Sequence, residues 1–245
     1  MRAWLPLMLR ALLLVLLLTF LLMPESFDPI LRPLVQQNAP AIYNQGSLLT
    51  LTLLHLRTVA IATTAAILVA VPMAILVTRP IGAEFLPLSR GLVNIGQTFP
   101  PVAVLALAVP TLGFGEKPTL VALFLYGLLP IFENTLTGLT TLPPSVMEAA
   151  RGTGMTGLQR LFKVELPLAT PTIMAGINQV IMLSLSMVVI AGMVGAGGLG
   201  GDVVKSLSRI DAALGFEAGI SVVILAIFLD RVTASLGRRS APGAH

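Results

Sequence analysis

The segment Glu148–Pro167 reads EAARGTGMTGLQRLFKVELP, and it separates two strongly apolar stretches of the chain. Ser145, three residues before Glu148, forms a capping-box pattern, and Thr156 with Gln159 forms a second one. In a capping box the first side chain accepts a hydrogen bond from the backbone of the third helical residue, so each pattern predicts the start of a helix. We therefore predict two short helices, over 146–151 and 157–165.

Two glycines separate these predicted helices. Gly152 and Gly154 can supply the positive φ values that end the first helix and turn the chain into the second. On the second helix, the apolar spacing predicts that Leu158, Leu161 and Phe162 share one face. The segment should therefore be a sharp helical bend with an apolar side.

Two interpretations of this bend remain open. Ala149, Ala150 and Gly154 are small residues that let another surface approach closely, and a purely structural turn does not require them. We therefore favour a docking site for a partner protein. In the alternative, Glu148 only caps a helix that lies on the membrane surface.

The composition of the whole chain indicates a membrane protein. Of its 245 residues, 56% are hydrophobic and 11% are charged, with a mean hydropathy of +0.93. Soluble domains carry about 25% charged residues, so this chain has too few to cover a water-facing surface. Its length fits one membrane domain without a separate ATPase or binding domain. We attribute the basic pI of about 10.1 to membrane topology and not to nucleic-acid binding.

Six stretches are apolar and long enough to approach the roughly 20 residues of a membrane-spanning helix. The first is read as an uncleaved helix, because Met23-Pro24-Glu25-Ser26 offers no small-x-small cleavage site. The apolar run from Leu48 is too long for one perpendicular span, so Ser47–Leu56 is predicted to be an interfacial helix. The predicted spans are Trp4–Met23, Val59–Val77, Leu92–Pro110, Leu120–Leu139, Pro171–Val194 and Phe216–Leu229.

Lysine and arginine counts predict the orientation, since cytoplasmic loops are enriched in both. With the N-terminus inside, ten of these residues fall on the cytoplasmic side and five on the opposite side. Both termini and the Glu148–Pro167 segment are therefore expected in the cytoplasm, where an ATPase would dock. The ten are Arg2, Arg10, Arg79, Arg90, Arg151, Arg160, Lys163, Arg231, Arg238 and Arg239.

Polar residues within the spans are candidates for a substrate route. Glu133 is an acid inside a predicted span, and it lies toward the cytoplasmic end. Pro100-Pro101 can break the third span and free backbone carbonyls toward a cavity. The alternative is that these amides and hydroxyls only join helices to one another. The candidates are Asn94, Gln97, Thr98, Glu133, Asn178, Gln179 and Ser184.

Other motifs do not indicate catalysis. Two G-x-G-x-x-G patterns lack the βαβ setting that a dinucleotide site needs, and no P-loop sequence occurs. The run Gly195–Gly201 is instead predicted to form an irregular turn that lets helices approach closely. The chain has no cysteine, and its two histidines, His55 and His245, lie near no carboxylate pair in the sequence. No catalytic residue, metal ligand or cofactor site is predicted.

Seven residues of the opening segment resemble the EAA loop of permease subunits of bacterial ATP-binding-cassette (ABC) importers. Val164 stands where that family usually has isoleucine. Further stretches resemble the branch that imports glycine betaine, choline and carnitine, in particular the Yeh-type or Osm-type permeases: TRPIGAEF at 78–85, GQTFPPVAVL at 96–105, GFG at 113–115, LYGLLPI at 125–131 and VGAGGLG at 194–200. The seven EAA-loop residues are Glu148, Ala149, Ala150, Gly154, Val164, Leu166 and Pro167.

This resemblance implies an all-α polytopic membrane protein of about six transmembrane helices, with the MetI-like fold of type I ABC importer permeases. Residues 1–47 would form the first helix and a periplasmic loop, 48–235 the permease core with its coupling loop at 143–167, and 236–245 a cytoplasmic tail. The protein would lie in the bacterial inner membrane. One departure is Glu133, because relatives often carry a basic residue before the following Asn134.

The resemblance also implies partners. They are a separate ATPase that binds ATP and magnesium, a periplasmic substrate-binding protein and a second permease, for which a heterodimer is favoured. Gly176, Asn178 and Ser184 are the predicted contacts between the two permeases. The alternatives are an importer of the same architecture for an amino acid or another small solute, and an ion-driven carrier or channel that works alone.

Overall fold

The structure is a computed structural model that describes residues 5–35, 42 and 46–239. These residues form helices and no strand. Short 3-10 helices occur at Pro24–Phe27, Arg32–Leu34, Ala83–Phe85 and Gly192–Val194, and a π-helix at Leu161–Glu165. The α-helices are α1 (Leu5–Leu22), α2 (Asp28–Leu31), α3 (Leu48–Val77), α4 (Leu86–Thr98), α5 (Pro101–Leu112), α6 (Glu116–Thr140), α7 (Pro144–Gly152), α8 (Gly157–Arg160), α9 (Leu166–Ala191), α10 (Leu199–Arg209) and α11 (Ala212–Arg239).

The number of possible spans agrees with the sequence. Four helical segments in the described part of the chain are long and apolar enough to cross a bilayer. Two bent helix pairs, one formed by α1 with the turns after it and one by α4 with α5, raise the number to six. The four single segments are Leu48–Val77, Glu116–Thr140, Gly157–Val194 and Ala212–Thr233.

The predicted third span is interrupted. Pro100 lies between α4 and α5 and Pro101 begins α5, and neither has a backbone N–H to continue the helix before it. Pro101 occupies the first turn of α5, a position that tolerates the missing donor. The proline pair therefore divides Leu92–Pro110 into two helices, as its sequence indicated.

The prediction of a separate interfacial helix at Ser47–Leu56 was wrong. Residues from Leu48 onward belong to the single helix α3, whose internal Pro72 does not end it. His55 is fully buried, and its Nε2 donates to the carbonyl oxygen of Leu185 at 3.1 Å. The start of the helix therefore packs inside the protein as part of one long helix.

The described residues divide into two compact units. The first unit takes its residues from Met1–Ala62, Phe99–Leu123 and Met182–Val232. It contains the predicted glycine-rich turn, in which Gly195 and Gly198 have positive φ. A Cβ on Gly198 would lie 3.1 Å from backbone atoms of His55, so the close approach expected for this turn is confirmed.

The second unit takes its residues from Thr63–Thr98, Phe124–Ile181 and Thr233–His245. Its core contains Ala66, Ala70 and Ala74, which repeat every four residues along α3 and are fully buried. Phe132 of α6 belongs to the same buried cluster. Small side chains at this spacing let helices pack closely without a large cavity. The EAA-like segment belongs to this unit.

Candidate functional site

The first helix of the EAA-like segment begins earlier than the capping box predicted. Pro143 is the N-cap of α7 and makes no side-chain capping bond, so Ser145 does not cap the helix. Pro144 at the first helical position has a φ suited to a helix and needs no N–H partner. The two prolines therefore start α7 one residue before Ser145, and the first predicted capping box is wrong.

The end of α7 is a Schellman motif built on Gly154. Gly154 has a φ of 76°, and its N–H donates to the carbonyl of Arg151 at 2.9 Å. The N–H of Met155 donates to the carbonyl of Ala150 at 3.4 Å. These are the two bonds of the motif, which requires a left-handed residue that glycine best supplies. Gly152 is the last residue of α7 and has no positive φ, so only one of the two predicted glycines makes the turn.

The second capping box is confirmed. Thr156 accepts from the N–H of Gln159 at 3.3 Å, and the Gln159 side chain accepts from the Thr156 N–H at 2.9 Å. The helix that starts there does not end near Pro167, because α8 continues through the π-helix into α9. The wider π turn ends two residues before Pro167 and accommodates a residue that cannot donate to the preceding turn.

The apolar residues of α8 and the π-helix point in two directions. Leu158 and Phe162, four residues apart, are 70% and 65% exposed. Leu161 is buried in a cluster with Ala169 and Leu139. The prediction that Leu161 shares one face with Leu158 and Phe162 is therefore wrong. Two large apolar side chains are therefore exposed next to the Schellman turn, where Glu148, Ala149 and Gly154 are exposed as well.

The remaining EAA-like residues lie closer to the core. Ala150 is buried, Val164 and Leu166 are half-buried, and Pro167 is exposed. Within the described part of the chain, Glu148 makes no ion pair or side-chain hydrogen bond. The segment thus presents its first residues outward and anchors its later ones.

Glu165 is the electrostatic anchor of the segment. Its side chain is only 4% exposed, and it accepts from Arg79, which lies two residues beyond the end of α3. It also accepts from Nε of Arg160 at 2.9 Å. Arg160 precedes Glu165 by five residues, the spacing that a π-helix brings together. One buried carboxylate therefore ties the EAA-like segment to the turn that follows α3.

A groove of about 900 Å³ lies beside this anchor. It is lined by the C-terminal ends of α3 and α6 and by the EAA-like segment, including Arg151, Leu158 and Phe162. The groove contains both apolar and basic side chains, so it can receive a protein surface with apolar and acidic groups. Among the described residues, no group of three or more histidine, aspartate or glutamate side chains is placed to hold a metal ion.

The polar candidates of the third span lie along α4. Asn94, Gln97 and Thr98 are exposed. The Gln97 amide donates to the backbone carbonyl of Tyr126 at 3.1 Å, and the Thr98 hydroxyl donates to the carbonyl of Asn94 at 3.0 Å. Gln97 therefore joins α4 to α6, while the other two side chains contribute to an exposed polar surface.

Glu133 pairs with Arg90, a partner that sequence reasoning had counted only as a cytoplasmic charge. Nε and Nη2 of Arg90 donate to the two carboxylate oxygens at 2.8 and 3.2 Å. The Arg90 and Glu133 side chains remain 52% and 35% exposed. The pair is thus bidentate and in contact with the surroundings of the protein.

The candidates on α9 occupy different environments. Gly176 and Ser184 are buried within the chain, and a Cβ on Gly176 would lie 2.7 Å from the Asn134 side chain. Their predicted role in contacts with a second permease is therefore wrong, since α6 already covers Gly176. Asn178 accepts from the Thr233 hydroxyl, and Gln179 is exposed.

Sequence reasoning missed Glu165, Arg79 and Arg90 as site residues. Arg160 five residues before Glu165 was the only local signal, and it becomes informative only if the turn between them is π-helical. The pairs of Arg79 with Glu165 and of Arg90 with Glu133 join residues 86 and 43 positions apart. No local pattern identifies such partners.

Comparison with known proteins gives a consistent result. Residues 70–242 match the family described as binding-protein-dependent transport system inner membrane component. The chain is 43% identical over 175 residues to the glycine betaine/proline betaine transport system permease protein ProW of Escherichia coli (strain K12), covering 71% of this chain and 49% of that protein. It thus spans about half the length of ProW, and about half that of the related permease OpuAB of Bacillus subtilis (strain 168).

Another relative matches over most of its own length. The glycine betaine/carnitine/choline transport system permease protein OpuCB of Bacillus subtilis (strain 168) is 39% identical over 202 residues, covering 81% of this chain and 91% of that protein. A solved structure of the MetNI methionine ABC transporter in an inward-facing conformation has a TM-score of 0.71 at 22% identity, covering 79% of this chain and 96% of that chain. At that identity the likeness shows the fold alone. The chain therefore belongs to the family of binding-protein-dependent transport system inner membrane components and has the permease fold that its sequence predicted.

Proposed function

We propose that this chain is the permease subunit of an ATP-driven importer for osmoprotectants such as glycine betaine, and that the segment Glu148–Pro167 couples it to a separate ATPase. The observation that carries this proposal is the exposed helical bend. Gly154 and Thr156 fix its shape, Glu165 anchors it, and Leu158 and Phe162 remain uncovered. Large exposed apolar residues beside a rigid turn are typical of a protein docking surface.

The solute class is supported by the relatives. ProW is named for glycine betaine and proline betaine, and OpuCB for glycine betaine, carnitine and choline. All of these solutes carry a quaternary ammonium group. We extend that chemistry to this chain, on which the similarity covers 71% to 81% of the residues.

The orientation and assembly complete the proposal. The lysine and arginine bias supports a cytoplasmic position for both termini and the coupling segment in a bacterial cell. There the ATPase would bind ATP and magnesium, and this chain would bind no cofactor. A binding protein would deliver solute on the periplasmic side. A second permease is needed to couple two ATPase sites to one pathway, and we favour a different chain over an identical one.

The docking role can be tested with two glycines that differ mainly in backbone conformation. A Cβ would meet no other atom within 4 Å at either Gly152 or Gly154, but only Gly154 has a positive φ. We expect Gly154→Val to abolish most ATP-dependent uptake and to reduce copurification of the ATPase, because valine is strained in this region. Gly152→Val is the matched control and should retain both properties. Normal uptake and normal copurification of the ATPase in Gly154→Val would contradict the docking assignment.

The solute assignment needs a separate measurement. Cells that carry the complete importer should take up labelled glycine betaine, and unlabelled choline or carnitine should compete. Uptake should depend on ATP and on the ATPase subunit. If none of the three competes with the transported solute, the osmoprotectant assignment fails while the importer assignment stands. Transport by the purified chain alone, without ATP, would instead identify a stand-alone carrier.

A further inference from the structure

Helix α4 has three faces of different character. One face is buried against its own unit, a second exposes large apolar residues, and a third exposes polar ones. Within each face the residues recur every three or four positions, as one side of an α-helix requires. The buried face is Ser89, Val93 and Gly96, the apolar face Leu88, Leu92 and Ile95, and the polar stripe Arg90, Asn94 and Gln97.

The polar stripe does not suit contact with lipid. An ionised side chain in the hydrocarbon region costs several kcal/mol, and polar groups there usually face a water-filled cavity or another protein surface. The apolar face of the same helix offers lipid a suitable neighbour. We therefore expect the stripe to face water or protein, while Leu88, Leu92 and Ile95 face the bilayer.

The stripe is fixed to α6 at two points. Arg90 binds Glu133, and Gln97 donates to the Tyr126 carbonyl. The two contacts are seven residues apart on each helix, or roughly 10 Å. The helices approach closely beside Gln97, because a Cβ on Gly96 would lie 2.3 Å from the carbonyl oxygen of Leu125. The end of the stripe at Gln97 is thus held by a bond to the backbone of α6, while the end at Arg90 is held only by a pair of exposed side chains.

The Arg90–Glu133 pair is suited to exchange its partners. Exposed ion pairs contribute little to stability, so a competing charge can open them at small cost. Arginine binds a carboxylate in the same forked geometry that it uses for Glu133. A small zwitterion carries one group for each partner: its carboxylate can replace Glu133 on Arg90, and its cationic group can replace Arg90 on Glu133. Every charge then keeps a partner throughout the exchange.

We infer that Arg90 and Glu133 form a binding site for a zwitterionic solute at the cytoplasmic end of the transport route, opened by the solute's own two charges. This inference rests on the proposed function, because it takes the solute to be a betaine. Asn94, one helical turn from Arg90, supplies a neutral polar contact on the same stripe. With the orientation proposed above, solute at this site would be close to its release into the cytoplasm.

The experiment compares single substitutions in the complete importer, reconstituted in liposomes with its ATPase and binding protein. We expect Arg90→Gln and Glu133→Gln each to lower the initial rate of glycine betaine uptake about tenfold or more, the loss that follows from one charged hydrogen bond. Arg90→Gln should lower choline uptake much less, because choline has no carboxylate. The ratio of betaine to choline uptake in each variant is divided by the same ratio in the wild type. This division cancels the preference of the binding protein, which is the same in both.

The other unit provides a matched control. Nη2 of Arg57 donates to both oxygens of Glu116 at 2.7 and 3.0 Å, and these side chains are 59% and 33% exposed, close to the values for Arg90 and Glu133. Arg57→Gln should leave betaine uptake within about twofold of the wild type, since weakening an exposed ion pair has little effect by itself.

Several outcomes would overturn the inference. Equal losses in Arg90→Gln and Arg57→Gln would show that any exposed ion pair matters structurally. Unchanged betaine uptake in both Arg90→Gln and Glu133→Gln would remove the site. If either variant no longer binds the second permease and its ratio of betaine to choline uptake is unchanged, the polar stripe is an interface between permeases and not a solute site. If the wild-type importer transports neither glycine betaine nor choline, the proposed solute class is wrong. This result differs from the others because it appears without any substitution.

Discussion

Two carboxylates of the same unit, Glu165 and Glu133, bind arginine in opposite settings. Glu165 is almost completely buried and binds two arginines, Arg79 and Arg160. Glu133 is about one-third exposed and binds Arg90. Both lie in or beside segments with proposed roles in transport, yet their surroundings suit them to different tasks. The contrast separates a carboxylate that holds the structure together from one that can exchange partners.

The physical difference lies in what happens when a partner is removed. A buried charge that loses its counter-ion keeps the cost of having left water, whereas an exposed charge is solvated again. Glu165 therefore fixes the coupling segment relative to α3, and motion of one should be transmitted to the other. Glu133 holds its arginine without such a penalty, so the proposed displacement by solute would cost little.

The largest expected effect is that of Glu165→Ala. This substitution leaves two partly buried arginines without their shared carboxylate. We expect a loss of about 3 kcal/mol in the free energy of unfolding, near the low end for broken buried pairs because the arginines keep some contact with water. Thermal unfolding of the purified protein in detergent measures it. Glu133→Ala is the control, and equal shifts of the two midpoints would remove the contrast between the carboxylates.

Next in size are the single arginine substitutions Arg79→Gln and Arg160→Gln. In each variant Glu165 keeps one cationic partner, so we expect a destabilisation of about 1.5 to 3 kcal/mol, the value of a hydrogen bond to a charged group. Because the two arginines share one carboxylate, the double substitution should cost a different amount from the sum of the single ones. If the two single losses of stability add up to that of the double variant in a double-mutant cycle, the arginines act independently.

A smaller effect is expected from the caps of the coupling segment. Thr156→Val removes the hydroxyl that accepts from Gln159, and loss of such a cap costs about 1 kcal/mol. Ser145→Ala is the matched control, because Ser145 makes no capping bond, and it should change stability by less than about 0.5 kcal/mol. A larger loss in Ser145→Ala than in Thr156→Val would contradict the assignment of the caps.

The features that the sequence could predict are local, and those that it could not predict depend on contacts between distant residues. Gly154, the Thr156 capping box and the break at Pro100-Pro101 depend on residues within a few positions of one another, and all three were predicted correctly. Ser145 was misassigned because the two prolines before it start the helix earlier. The partners of Glu165 and Glu133 depend on helix packing, which brings together residues far apart in the chain. The apolar pattern predicts which helices form, but not which charged side chains meet.

The smallest expected effect on stability is that of Glu133→Gln, and it gives the sharpest test of the comparison. Glutamine keeps the size of the side chain and a hydrogen-bond acceptor for Arg90, which remains exposed to water after the substitution. We therefore expect an unfolding midpoint that is unchanged within error, together with the loss of betaine uptake described above. The midpoints of this variant and of the wild type should also stay equal at high salt, because salt screens the exposed pair of the wild type and leaves it no stabilising effect to lose. A clear fall in the midpoint, comparable to that of Arg79→Gln, would show that Glu133 is a structural anchor like Glu165, and its proposed contact with solute would lose its physical basis.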